Sequence, residues 1–108
     1  MRKEEIFMKI LLVCGGGASS GFLCQKMRMS AKQQGIDASV DAISETELED
    51  CLDDVNVVLF GPHLRYMEKE LEEILNPEGI PFEFIPEQYY ATLDGEKTLE
   101  YAKQMIDK

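Results

Sequence analysis

The sequence predicts an α/β domain built on an open, four-stranded parallel sheet with helices on both faces. Three observations carry that expectation. Apolar runs of strand length alternate with stretches of helical periodicity along the 108 residues. Two of those runs, Ile10-Leu11-Leu12-Val13 and Val55-Asn56-Val57-Val58-Leu59-Phe60, are nearly continuous, as strands buried on both faces are. Glycine or proline punctuates the joins at Gly35, Gly61-Pro62, Asn76-Pro77-Glu78-Gly79 and Pro86.

The first strand is expected over residues 10–13, followed by a glycine loop and a helix over 20–34. Phe22, Leu23, Met27 and Ala31 give that helix an apolar stripe, Lys26, Arg28 and Lys32 stay polar, and Gly35 stops it. Residues 36–43 alternate at Ala38, Val40 and Ala42, which predicts a second strand. A short acidic helix over 46–52 follows, capped by Ser44 or Thr46. Residues 55–60 are the strongest strand signal. Residues 64–75 then read as a helix with Leu64, Met67, Leu71, Ile74 and Leu75 on one face. A fourth strand is expected over 80–85, ended by Pro86, and a closing helix over 95–106 carries Leu99, Ala102, Met105 and Ile106. The pattern does not give the order of strands across the sheet. Ligands in such sheets bind beyond the carboxyl ends of the strands, which here means loops 14–21, 61–64 and 86–94. Residues 8–108 form a single domain in this reading, and 1–7 a short N-terminal extension.

Composition narrows the function. Lys and Arg number 11 against 21 Asp and Glu, a net charge of −10, which argues against nucleic acid and anionic membrane surfaces as partners. The acids gather at Glu45, Glu47, Glu49, Asp50, Asp53 and Asp54, and again at Glu68, Glu70, Glu72 and Glu73, as solvated helix faces do. No apolar run approaches the roughly 20 residues that span a bilayer, and the start lacks a secretory h-region, so a cytoplasmic location is expected. Three cysteines without a C-x-x-C spacing and one histidine support neither a zinc site nor a redox dithiol; no metal and no cofactor is expected.

The chemistry concentrates in Cys14-Gly15-Gly16-Gly17-Ala18-Ser19-Ser20-Gly21, directly after the first strand. Glycines permit backbone conformations that turn successive amides inward as an anion nest, and the following helix adds its open N–H groups and positive dipole end. Ser19 and Ser20 offer hydroxyls or a cap. The same surroundings favour a thiolate at Cys14, since cysteines at helix N-termini titrate between about 3.5 and 7.5 instead of about 8.5. Thiol and phosphate loop together point to a transient phosphocysteine. A small buried hydrophobe is the competing role for Cys14, and the better one for Cys24 and Cys51, which fall within helices. A dinucleotide fingerprint fails in both glycine frames, and no lysine for a Walker loop lies between Cys14 and Lys26. A cysteine-dependent phosphatase needs an arginine six residues after its cysteine, where this chain has Ser20. Without that cation the loop suits a carrier that holds a phosphoryl group instead of hydrolysing it.

Cys14 to Gly21, the stretch Val57-Val58-Leu59-Phe60-Gly61-Pro62-His63-Leu64-Arg65-Tyr66-Met67, and residues 90–95 together resemble the enzyme IIB component of the bacterial sugar phosphotransferase system, lactose/cellobiose (chitobiose) type. The resemblance runs from Met8 through nearly the whole chain, with Gly21 standing where that family commonly carries a hydroxyl residue. It implies a protein-phosphocysteine sugar phosphotransferase. Cys14 would accept phosphate from a phosphohistidine of IIA and pass it to a sugar held by the membrane IIC permease. The phosphate would rest on Gly15, Gly16, Gly17, Ala18, Ser19, Ser20 and Gly21. Phe22, Leu64 and Tyr66 become candidates for a docking surface as well as for the core, and His63 and Arg65 for charge near the loop. A low-molecular-weight cysteine phosphatase or arsenate-reductase relative is the alternative, and a binding module without phosphorylation a third reading.

Overall fold

The computed structural model describes residues 8–13 and 18–106, with 18–20 described by backbone alone. Four strands, β1 (Met8–Val13), β2 (Ala38–Ile43), β3 (Val57–Phe60) and β4 (Phe82–Phe84), form one sheet in the order β2-β1-β3-β4. All three pairings are parallel, with Ile10 opposite Val40 and Val57, and Val13 opposite Ile43 and Phe60. The helices are α1 (Ala18–Gln34), α2 (Glu68–Leu75), α3 (Glu87–Ala91) and α4 (Gly95–Ile106). Three-residue-per-turn helix fills Glu45–Cys51 and Pro62–Met67.

Side chains of a strand alternate between faces, so the continuous apolar runs feed two separate cores. Ile10, Leu12, Val57 and Leu59 join Leu23, Cys24, Met27, Ala31, Leu99 and Ala102 beneath α1 and α4. Leu11, Val13, Val58 and Phe60 join Leu48, Leu64, Leu71, Leu75 and Phe84 on the opposite face. Phe60, Phe82 and Phe84 pack ring to ring there, with centroids 5.5 to 6.3 Å apart. The two helix layers expected from the sequence are present.

Two glycine stops set the strand limits. Gly35 and Gly79 both adopt left-handed φ, +71° and +70°. In each case the following isoleucine donates its N–H back to the helix, Ile36 to the Ala31 carbonyl at 2.8 Å and Ile80 to the Leu75 carbonyl at 3.3 Å. This six-to-one bond is the Schellman stop. It occupies Ile36 and Ile80, which is why β2 begins at Ala38 and β4 at Phe82, two residues later than the apolar pattern predicts. The expected acidic helix is instead a 3₁₀ segment, capped reciprocally by Ser44 and Glu47. The helix expected over 64–75 divides, with Pro62 opening a 3₁₀ turn before α2.

Within one layer, α1 and α4 come close together at Gly95. A Cβ there would stand 2.5 Å from the Lys26 carbonyl carbon and Cβ, and 2.7 Å from the Met27 nitrogen. The first residue of α4 therefore sits directly on the backbone of α1, a distance only glycine permits. Asp94 caps this end, accepting the Lys97 N–H on Oδ1 at 3.1 Å.

Candidate functional site

Strand order locates the site. From β1 the chain moves outward to β2 and then returns to the far side of β1 as β3. In sheets of this kind the ligand crevice lies where the order reverses, which here is beyond the carboxyl ends of β1 and β3. Those ends are Val13 and Phe60, which pair with each other. Gly61 donates its N–H to the Val13 carbonyl at 3.0 Å, and Ile85 to the Phe60 carbonyl at 2.8 Å, so the ends of β1, β3 and β4 are tied in a row.

Cys14, Gly15, Gly16 and Gly17 lie outside the described residues. Their frame is described: Val13 closes β1 on one side and Ala18 opens α1 on the other. Ala18, Ser19, Ser20 and Gly21 form the first turn of α1, so the loop expected over 14–21 is shorter and its second half is helical. The opening N–H groups of a helix lack partners within it and carry the positive dipole end. An anion at this end of the sheet would meet the opening amides of α1. Gly21 has no atom within 4 Å of the position a Cβ would take, so no steric demand for glycine exists there.

The second wall is the turn after β3. Gly61 is buried and extended, Pro62 starts the 3₁₀ turn, and Leu64 drops into the lower core at 2% exposure. Leu64 is thus packing and leaves the docking candidates, since it is buried in the same core cluster as Phe60 and Leu71. Phe22 and Tyr66 remain candidates, at 59% and 80% exposure. His63 is exposed, and its ring centroid lies 5.7 Å from that of Tyr90. Arg65 turns away toward β4, its guanidinium carbon 5.0 Å above the Phe84 ring. Phe84 stands two strands from β1, about 10 Å at ordinary strand spacing.

The third wall was expected to be loop, and contains α3. Pro86 offers its carbonyl to the N–H groups of Tyr89 and Tyr90 at 3.0 and 3.1 Å, starting one and a half turns that bring Tyr90 to His63. Leu93, at φ +53°, then reverses the chain into Asp94. The only sequence signal for this element was a polar-aromatic pentapeptide after proline, too short for periodicity.

The other thiols do not compete for the chemistry. Cys24 is 4% exposed and donates its S–H to the Val40 carbonyl at 3.2 Å. Burial pushes its pKa up, nearby Arg28 pulls it down by less, and Asp41 adds to the rise. A thiol held neutral is a poor nucleophile. Cys51 is half-buried and ends the 3₁₀ segment Glu45–Cys51. Among the described residues no group of three His, Cys, Asp or Glu side chains is placed to hold a metal ion. No described helix is long and apolar enough to cross a membrane.

A family model, "PTS system, Lactose/Cellobiose specific IIB subunit", matches residues 9–101. The chain belongs to that family. As a IIB subunit it is a phosphotransferase component of the sugar phosphotransferase system. It is similar to the solution structure of the cellobiose-specific IIB component from Borrelia burgdorferi, with 44% identity, a TM-score of 0.79, and coverage of 94% of this chain and 93% of that one. That match bears out the four-stranded parallel α/β fold. The oligo-beta-mannoside-specific EIIB component of Bacillus subtilis (strain 168) is 30% identical over 98 residues, 91% of this chain and 95% of that protein. In the lactose-specific EIICB component of Lacticaseibacillus casei, a IIB region 25% identical over 99 residues is joined to IIC in one polypeptide, so 90% of this chain corresponds to 17% of that protein. IIB domains thus work together with IIC.

Proposed function

We propose that this IIB domain is a cytoplasmic phosphocarrier and that Cys14 is the residue it uses. The Cys14 thiolate attacks phosphorus on a phosphohistidine of the IIA protein; the N–P bond breaks as the S–P bond forms, and the IIA imidazole leaves. The phosphoryl group rests against the amides of Gly15, Gly16, Gly17, Ala18, Ser19, Ser20 and Gly21. A hydroxyl of a β-linked disaccharide held by the IIC permease then attacks the same phosphorus. Its proton passes to solvent, the S–P bond breaks, and the thiolate returns. The sugar is of the cellobiose, lactose or chitobiose class, in keeping with the family's description.

One observation supports this reading above the others. Residue 14 follows directly on Val13, the end of the strand at which sheet order reverses, and precedes the helix starting at Ala18 by a few residues. Nucleophile and anion-binding amides belong at that point in such a sheet. The test is intact mass after incubation with phosphorylated IIA. A single phosphoryl adduct on the wild-type chain, absent from Cys14→Ser and retained in Cys24→Ser and Cys51→Ser, is expected. Steady release of free phosphate without an adduct would overturn the carrier reading in favour of a hydrolase.

A further inference from the structure

An open sheet has two edges, and each presents a row of backbone groups on which another strand can pair. Here the edges are β4 and β2. The β4 edge is short. Val58 donates its N–H to the Pro81 carbonyl and Ile85 to the Phe60 carbonyl, so Glu83 turns its backbone toward β3. Only Phe82 and Phe84 turn theirs outward, between Pro81 and Pro86. So brief an edge gives little to pair with.

The β2 edge is longer, six residues. Met8 donates its N–H to the Asp37 carbonyl at 3.1 Å, and the register of Met8 with Ala38 carries that pattern along the pair. Ser39, Asp41 and Ile43 therefore turn their backbone groups toward β1, and Ala38, Val40 and Ala42 turn theirs to the open side. The middle of that row is closed. The Val40 carbonyl accepts the Arg28 Nε–H at 2.8 Å and the Cys24 S–H at 3.2 Å. A carbonyl oxygen has two lone pairs, and both are taken. Arg28 is fixed at its far end by Asp41, with Nη2 3.2 Å from Oδ1. A neighbouring strand would bring its own N–H to about 2.9 Å from the Val40 oxygen, where the guanidinium already stands.

The outward row of Ala38, Val40 and Ala42 is symmetric about Val40. A second copy turned about a two-fold axis there would pair Val40 with its own counterpart and Ala38 with Ala42, each pair exchanging both hydrogen bonds. Ser39 of one copy would face Asp41 of the other, a hydroxyl donor opposite a carboxylate. The pairing is self-complementary, and its central acceptor is the oxygen that Arg28 occupies.

We propose that Arg28 bolts the β2 edge shut, and that a second copy of this chain is what the bolt excludes. The sheet then ends at β2 and the domain works singly. This inference is independent of the assignment of Cys14.

The test is sedimentation velocity across a concentration series for the wild type, Arg28→Ala, and Arg28→Ala combined with either Ala42→Pro or Ser39→Glu. Circular dichroism checks that each is folded; Arg28 is exposed, so its removal opens no cavity. A symmetric pair must draw two bolts and forfeit two hydrogen bonds, about a ten- to hundredfold loss of dimer affinity. Arg28→Ala is therefore expected to dimerise more tightly than the wild type by that factor. Its mass should move from the 12.3 kDa of one chain toward twice that, at concentrations where the wild type stays single. Ala42→Pro removes an outward N–H, and Ser39→Glu sets carboxylates opposite each other, so either change should return Arg28→Ala to a single chain. An Arg28→Ala protein that sediments like the wild type overturns the inference. So does an Arg28→Ala dimer that persists in a folded double variant, because it would be joined elsewhere.

Discussion

Gly95→Ala tests how α1 and α4 are held together. The added methyl would stand 2.5 Å from two Lys26 carbons and 2.7 Å from the Met27 nitrogen. Comfortable carbon–carbon contact begins near about 3.5 Å, so roughly 1 Å must be found. Neither the Lys26 backbone nor its Cβ can swing aside as a side-chain tip would. The helices must separate, loosening the layer in which Leu23, Met27, Ala31, Leu99 and Ala102 are buried. Overpacking of this kind costs about 1–3 kcal/mol. In a domain of this size each kcal/mol lowers Tm by about 4–8 °C. The comparison is Gly21→Ala, where a methyl meets nothing within 4 Å in a helical turn; relief of backbone entropy there should add about 0.5–1 kcal/mol. Thermal and urea unfolding followed by circular dichroism on the two variants and the wild type gives both signs. A Gly95→Ala protein melting at or above the wild type would refute the contact argument.

Other expectations follow from the same geometry. Because the buried Cys24 thiol has a raised pKa, the folded chain keeps a proton that the unfolded chain releases above about pH 8.5. Stability should therefore be unaffected by this group at neutral pH and fall above about pH 8.5, by at most about 1.4 kcal/mol per pH unit, until the folded pKa is passed. Urea midpoints measured between pH 7 and 10 should show the decline in the wild type and a shallower one in Cys24→Ala. Asp94→Ala removes the acceptor for the Lys97 N–H and should cost about 0.5–2 kcal/mol in the same unfolding experiment, with Asp94→Asn recovering most of it. If Asp94→Ala and Asp94→Asn unfold alike, the cap contributes nothing.

Much of the fold was legible because burial on two faces leaves a plain trace in the letters. Ile10 to Val13 and Val57 to Phe60 are apolar at every position since each of their sides faces a helix layer. The glycine stops were legible too, but not that Ile36 and Ile80 would be spent on capping. Apolar character alone assigns them to strands, whereas the hydrogen bond that claims them depends on a left-handed glycine. Leu64 shows the converse limit: as the first residue of an expected helix it read both as core and as a docking candidate, and only the fold, which buries it within a 3₁₀ turn, decides for the core. At the site, the chemistry of Cys14 and its glycines was written in composition, while the meeting of His63 with Tyr90 was not. Those two residues are far apart in the chain and come together only because β3 and β4 are neighbours and α3 follows Pro86.

The division of the interior into two compartments by a single sheet has an evolutionary corollary. Exchanging Ile10 for valine, or Leu12 for isoleucine, alters how one compartment is filled and leaves its partner untouched. Inserting one amino acid between Met8 and Val13 would instead send every later side chain of that strand into the opposite compartment. Along β1, drift in spelling is tolerable, but drift in length is not.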